Sequence, residues 1–211
     1  MLISSRIEDG RALSMLVWRF AEPMTVASTA ACGGGLGERD WIINAQVGHD
    51  YRRRDQQRHG AELAAAAGLE AGLEAGLENA GGVVMFTAVD VREVRSGEDG
   101  GVRVDATVGL TLPVWAAAPD AAAAAMPGTI NIVAVLPVRL TGAALLNALC
   151  TATEAKTQAL LDAGVPGTGT ASDAVTVACP EAGPAEPFGG PRSVWGARLA
   201  RAVHGAVSAR T

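Results

Sequence analysis

The residues best suited to chemistry in this chain lie between Gly128 and Asp173. Gly128-Thr-Ile-Asn131, Thr153-Glu-Ala-Lys-Thr157 and Gly167-Thr-Gly-Thr-Ala-Ser-Asp173 put hydroxyls, a carboxamide, two carboxylates and an amine among Ala/Val/Leu-rich segments. Polar groups set between strongly apolar stretches need partners or a ligand, because burying them alone costs free energy. A binding or catalytic site has this pattern.

Other constellations are weaker. Asn147, Thr151, Glu154 and Gln158 recur at helical spacing and share one face, with Lys156 turned away from them. Gly167–Asp173 has the glycines of a phosphate loop but no Gly-Lys-Ser/Thr ending, and it runs into a strand rather than a helix. Gly33-Gly-Gly-Leu-Gly37 precedes a strand, so it is no dinucleotide fingerprint. It reads either as a plain turn or as a place where backbone approaches a bulky ligand. Ser28, Thr29 and Cys32 are nucleophile types, but no Gly-x-Ser-x-Gly elbow surrounds them. His49, His59 and His204 show no metal-ligand spacing, and His49 reads as a loop residue near the site.

Composition narrows the class. With 211 residues and 49% apolar content, one domain spanning 1–211 with a proper core is expected. A net charge of −5 argues against a nucleic-acid partner. The basic cluster Arg52-Arg53-Arg54, with Arg58 and His59 nearby, reads as a solvated loop or, more sharply, as a contact to an anionic ligand. Cys32, Cys150 and Cys179 are odd in number and widely spaced, which suits small buried thiols rather than a disulfide framework. The first ten residues lack the pattern of a signal peptide. No apolar run reaches the roughly 18 residues of a membrane span. The expected location is cytoplasmic, with no membrane partner; a homo-oligomer is compatible with the sequence.

The elements that must position these residues follow from periodicity and punctuation. Residues 12–20, 24–30 and 41–47 read as strands, with 33–37 a loop. Residues 58–79 read as a helix, weakened by the glycines of its Gly-Leu-Glu-Ala repeat. Residues 83–94 and 102–112 read as the arms of a hairpin, the second alternating cleanly. Residues 119–127 read as a connector, and 130–140 as a strand that Pro137 places at an edge or cuts short. Thr141 caps and Gly164-Val-Pro166 stops a helix over 142–163. A short strand at 174–179 and a helix over 192–209 complete the chain. That order predicts an α+β or mixed α/β domain, one mixed sheet covered by helices.

The same segments, taken in order, resemble the adenosylcobinamide amidohydrolase (CbiZ-type) family. The match runs through Ser28-Thr-Ala-Ala-Cys-Gly-Gly34, Ile43-Asn44, Val47 to Tyr51 and Val84-Met-Phe-Thr-Ala88. It continues through Gly128-Thr-Ile-Asn131, Leu140-Thr-Gly-Ala143, Thr153-Glu-Ala-Lys156 and Gly167-Thr-Gly-Thr170 to Asp173. Cys32-Gly33 stands where that pattern leads one to expect Asn-Gly, and Ser172 where a Thr is usual. The resemblance implies hydrolysis of the amide between aminopropanol and the corrin ring of adenosylcobinamide, giving adenosylcobyric acid. It implies a corrinoid small molecule as partner, its cobalt belonging to the substrate, and no required cofactor or metal. A non-catalytic corrinoid-binding protein and a different small-molecule amidohydrolase on the same scaffold are the rival readings.

Amide hydrolysis needs an activated water or nucleophile, a stabilised oxyanion and a proton for the leaving amine. On that chemistry Glu154 or Asp173 is the expected base, and Lys156 the group that stabilises the oxyanion or protonates the amine. Asn44 and Asn131 are expected to donate to the tetrahedral intermediate. Gly33 and Gly34 are expected to let backbone approach the corrin. Ser28, His49, Thr129, Thr153, Thr168 and Thr170 complete the expected substrate contacts. An alternative mechanism uses Ser28 or a loop threonine as covalent nucleophile with Lys156 as base.

Overall fold

Two segments of the chain run strand–helix–strand and return parallel, and they organise everything else. The computed structural model describes residues 1–69, 81–119 and 128–208. In the first unit β3 (Gly35–Gln46) is followed by α1 (Gln56–Ala66) and then by β4 (Gly82–Thr87), which pairs with β3 in parallel. In the second, β7 (Ile130–Val135) is followed by α2 (Gly142–Asp162) and β8 (Ala174–Pro180), again parallel to its partner. Parallel neighbours require such a crossover, because a tight turn can only reverse the chain.

Antiparallel strands join the two units into one eight-stranded mixed sheet, ordered β4-β3-β2-β8-β7-β6-β5. Here β2 is Arg11–Ser28, β5 is Arg95–Asp99 and β6 is Val102–Val108. A further strand, β1 (Leu2–Glu8), pairs only with the first half of β2. The β1–β2 turn is Asp9-Gly10, both at positive φ (49° and 74°), the combination a two-residue hairpin turn demands.

The sheet folds over on itself. Trp18 Nε1 on β2 donates to Asp105 on β6 at 3.0 Å, and Asn44 on β3 donates to Thr107 on β6 at 2.9 Å. Neither pair of strands is adjacent in the sheet. Leu16, Val26, Ile42, Val83, Met85, Val133 and Ala178 fill the space between the facing halves. Outside them, α1 covers β2–β3–β4 through Leu63 and Ala64 on Met15, Trp41 and Ile43. On the other side α2 and α3 (Val194–Ser208) cover β6–β7–β8, packing Leu145, Leu160, Leu199 and Val203 on Val104, Ile132 and Val177. Alanine-rich helix faces (Ala144, Ala148, Ala152, Ala155, Ala159) let α2 lie close to the strands.

Several elements differ from the sequence expectation. Residues 12–20 and 24–30 belong to one strand, interrupted by a register shift between Arg19 and Met24 where Pro23 cannot donate to the ladder. The expected hairpin of 83–94 with 102–112 does not form. β4 stands at the far edge beside β3, and the true hairpin is β5–β6 across Gly100-Gly101. Two apolar runs separated by a glycine-rich segment look alike whether they pair with each other or not. β7 ends at Val135, before Pro137, and is central rather than an edge. α1 ends at Ala66; the Gly-Leu-Glu-Ala repeat beyond Leu69 and the connector over 120–127 lie outside the described residues. Thr141 does cap α2, its hydroxyl accepting from Ala144 N. Cys32 and Cys179 are buried free thiols, but Cys150 is exposed on α2.

The Gly33–Gly37 segment is not an open loop. Gly33 sits at φ +67°, and a Cβ there would meet the carbonyl oxygen of Gly82 at 2.0 Å. Gly33→Ala is therefore expected to destabilise the protein by about 3 kcal/mol or more, from left-handed strain plus backbone overlap. Thermal denaturation checks this; an unchanged midpoint would show that the approach to β4 is not tight.

Candidate active site

The carboxyl ends of β3 and β4 meet the amino ends of β7 and β8 at one edge of the folded sheet, and a cleft opens there. It comprises two adjoining hollows of about 300 and 330 Å³ that share Gln56, Phe86 and Ser172. Val47, His49, Tyr51 and Arg52 follow β3, and Phe86 to Ala88 end β4. Thr129 and Asn131 enter from β7, and Ala171 to Ala174 lead into β8. One floor residue stands out. Asn131 is 1% exposed.

The Asn131 carboxamide is held from one side only. Its Nδ2 donates to Asn44 Oδ1 at 2.8 Å and to the carbonyl of Phe86 at 3.0 Å. A carbonyl can only accept, so the amide orientation is fixed by Phe86 rather than assigned by choice. That leaves Asn131 Oδ1 buried and without a partner among the described residues. The cost of such an orphan is about 1–3 kcal/mol, and a ligand hydrogen removes it. The sequence expectation that Asn44 and Asn131 donate to an oxyanion is corrected. Both Nδ2 hydrogens of Asn131 are used, on Asn44 and Phe86, and Asn44 Nδ2 directs one hydrogen to Thr107, so Asn131 offers an acceptor rather than a donor.

At the edge of the second hollow, Asp173 binds four donors. Its carboxylate accepts from the N–H of Ile130 at 2.9 Å, from the N–H of Thr170 at 3.1 Å and from the hydroxyl of Thr170 at 2.5 Å. It also forms a hydrogen-bonded ion pair with Lys156 of α2. Both side chains are nearly buried, at 7% and 11% exposure. A carboxylate has about four lone-pair sites, so Asp173 has none left for water. Gly169 makes room for the pair: a Cβ there would meet Asp173 Oδ2 at 2.3 Å and Lys156 Nζ at 2.5 Å. The pair ties α2, the 167–173 loop and the start of β7 together.

The other expected residues divide clearly. Thr129 lines the cleft, its hydroxyl 2.7 Å from that of Ser172, which also donates to Gly128 O. His49 stands exposed at the rim. Glu154 and Thr153, by contrast, are exposed on α2, and no residue of that helix lines the cleft. For Glu154 this is the ordinary solvated polar face that its helical spacing also allows; by spacing Thr153 falls in line with Lys156, which is buried. Ser28 is buried beneath the site, bonded to Thr176 at 2.7 Å and to Ala30 N. Gly33 and Gly34 pack on backbone, with Arg39 donating to both carbonyls. Thr168 and Thr170 are consumed within the loop, Thr168 by Ala116 N and the carbonyl of Val114. These residues build the scaffold of the site rather than its lining.

Tyr51 and Phe86, to which the sequence assigns no role, complete the wall, with His59 buried behind them. Tyr51, His59 and Phe86 stack mutually, with ring centroids 5.3–5.6 Å apart. His59 looked like part of a solvated basic cluster, but it is 2% exposed. The nearby arginines are mostly neutralised locally: Arg53 pairs with Asp55 and Glu62, and Arg58 with Glu62. Arg52 alone of that cluster lines the cleft.

The sequence profile of the family described as adenosylcobinamide amidohydrolase matches residues 2–210. The adenosylcobinamide amidohydrolase of Halobacterium salinarum is 35% identical over 184 residues, covering 83% of this chain and 75% of that protein. That of Methanosarcina mazei is 30% identical over 186 residues, covering 84% and 85%. Among solved structures, the L-aminopeptidase D-Ala-esterase/amidase of Ochrobactrum anthropi, described as a variant of the Ntn hydrolase fold, aligns with a TM-score of 0.44 and 13% identity. That alignment covers 98% of this chain and 82% of the other; so distant a likeness transfers no residue roles. The sequence matches span nearly the whole chain, including every segment that builds the cleft, and the protein belongs to the adenosylcobinamide amidohydrolase family.

Proposed function

We propose that this protein hydrolyses the amide joining aminopropanol to the corrin ring of adenosylcobinamide, giving adenosylcobyric acid and free aminopropanol in corrinoid salvage or remodelling. The observation that carries the reading is the buried, unpartnered Oδ1 of Asn131 at the floor of a cleft in a chain of this family. Hydrolysis brings two hydrogen donors that this acceptor suits, the attacking water and the scissile N–H. A cleft of about 300 Å³ lies at the lower end of the range for small-molecule sites, roughly 300–1,000 Å³. It takes the aminopropanol arm and the amide, while the flat macrocycle rests outside against the rim at His49 and Arg52.

In this mechanism Asn131 Oδ1 accepts from water and sets its approach to the carbonyl carbon. Ser172 and Thr129 present hydroxyls to the polar arm. Lys156 and Asp173 fix the two walls and act as positioning residues. The mechanism proposed here routes no step through a resident metal. Activity is accordingly expected to survive exhaustive dialysis against a chelator, the cobalt being held by the substrate's own ring. Loss on chelation, with recovery on adding zinc or manganese, would overturn that expectation.

The test of the function is direct. Purified protein incubated with adenosylcobinamide should release aminopropanol and yield the acid, seen by mass spectrometry as loss of the aminopropyl arm. Tight binding of unchanged adenosylcobinamide would make the protein a corrinoid carrier instead.

A further inference from the structure

Asp173 is saturated and Glu154 faces solvent, so the cleft needs another route for the proton that leaves the attacking water. We propose that Tyr51, His59 and Glu8 form that route, with the Tyr51 hydroxyl as the group that takes the proton from water and returns it to the leaving amine. This rests on the amide hydrolysis proposed above and deepens it.

The geometry is a continuous chain of hydrogen bonds leading out of the cleft. Tyr51 lines the cleft wall, and its hydroxyl lies 2.9 Å from His59 Nδ1. His59 Nε2 lies 3.2 Å from Glu8 Oε1. The other oxygen of Glu8 is gripped by Arg6, through Nε at 2.8 Å and Nη2 at 2.6 Å, so the carboxylate is fixed in direction. Chemistry sets the direction of each hydrogen. A carboxylate only accepts, so Nε2 carries the ring proton. Nδ1 of a neutral imidazole then accepts, and the Tyr51 O–H must point to it. The phenol oxygen therefore keeps lone pairs for a hydrogen from the cleft. This is the order of a hydroxyl–imidazole–carboxylate triad, with a phenol in the first position.

Phe86 binds this chain to the rest of the site. Its ring stacks on both Tyr51 and His59, and its carbonyl holds the Asn131 carboxamide at 3.0 Å. One residue thus sets both the acceptor that orients water and the hydroxyl that relieves it of a proton.

The step balances. An O–H bond of water breaks as its oxygen bonds the amide carbon. That proton passes to Tyr51, whose own proton passes to His59 Nδ1, and Glu8 stabilises the imidazolium. On collapse the C–N bond breaks, and the amine nitrogen takes a proton from Tyr51. Tyr51 recovers one from His59, so no proton or electron is gained or lost.

The surroundings favour these resting states. Burial lowers the His59 pKa below the usual 6.5, outweighing the pull of Glu8, so the ring is neutral at neutral pH. Burial pushes the Tyr51 phenol up to about 12, so it keeps its proton. The groups around the pair are Glu8 and Arg6 from β1, Arg53 and Asp55 from the loop after Tyr51, Glu62 from α1, and the Cys32 thiol, which also acts on Tyr51. The relay works only while His59 is unprotonated. Its lowered pKa places the acid limb of kcat/KM below pH 6.5, with activity lost as pH falls through that value and not as it rises.

The experiment uses the full chain and adenosylcobinamide. Tyr51→Phe is expected to lower kcat about 100-fold with KM within about threefold, and to abolish the acid limb of the pH profile. Glu8→Gln should lower kcat as well, because the imidazolium loses its countercharge. A Tyr51→Phe enzyme with wild-type kcat, or one with lower kcat that retains the acid limb, would overturn the relay. Failure of the wild type to turn over adenosylcobinamide would instead sink the functional reading. One readout needs no substrate: ¹⁵N NMR of histidine-labelled protein near pH 7 should show His59 as the Nε2–H tautomer, and an Nδ1–H ring would overturn the relay by itself.

Discussion

Lys156→Met should lower the thermal midpoint by about 10 °C and remove measurable turnover. The substitution keeps the aliphatic stem but leaves Asp173 as an ionised group in a nearly buried position. Removing one partner of a buried ion pair costs about 3–5 kcal/mol, and a domain of this size loses roughly 2–4 °C per kcal/mol. Activity falls for a separate reason. Asp173 anchors Ile130 N at the head of β7 and both donors of Thr170. An uncompensated carboxylate pulls toward solvent and loosens the walls that carry Asn131 and Ser172. Asp173→Asn is expected to follow the same course. The sequence suggests that an amide could still cap the turn, but four donors converge on this side chain, and Nδ2 would confront at least one of them. A Lys156→Met protein with an unchanged midpoint would show that the pair contributes nothing to the fold. One with a lowered midpoint and full turnover at a temperature where it remains folded would remove the pair from the site.

Asn131→Ala should reduce kcat/KM by about 100-fold or more. It deletes the buried, unpartnered acceptor at the cleft floor and removes the donor to the Phe86 carbonyl and to Asn44 Oδ1. The stability cost should be about 1–3 kcal/mol, that of leaving buried polar groups unpaired. Asn44→Ala makes the control. It breaks the same network at Thr107 and at Asn131 but spares the free Oδ1, so its effect on turnover should be nearer 10-fold. Steady-state kinetics on the two variants at one temperature, with their midpoints measured in parallel, separates the roles. Equal losses of turnover would assign the effect to the network and leave Oδ1 without a part in the reaction.

Local rules written in the sequence carried much of the fold. Thr141 and Gly164 bound α2 because caps act through nearest neighbours. The alternation of Val102, Val104, Ala106 and Val108 marks a strand with one buried face, and that face lies in the core. The Asp9-Gly10 turn that closes β1 onto β2 is not read from the sequence, whose first expected strand begins at residue 12. The strand order was not legible. β4 and β6 have similar apolar character, and only their long-range packing sends one to β3 and the other to β7.

The site shows the same division. Residue types and their order along the chain pointed to the 128–173 region, to Asn131, Thr129, Lys156 and Asp173, and through the family resemblance to amide hydrolysis. Which of those groups meets a substrate depends on direction, and direction is a tertiary property. Asp173 reads as a free carboxylate until Ile130, Thr170 and Lys156 are seen to use its lone pairs. Helical spacing turns Glu154 and Lys156 to different sides, but only the helix laid on the sheet shows which side is buried and which faces water. Glu8, Tyr51 and His59 belong to a strand, a loop and a helix whose spacing in sequence encodes nothing. The folding of the sheet upon itself, and the seating of α1 against it, makes three unremarkable residues into a path for a proton.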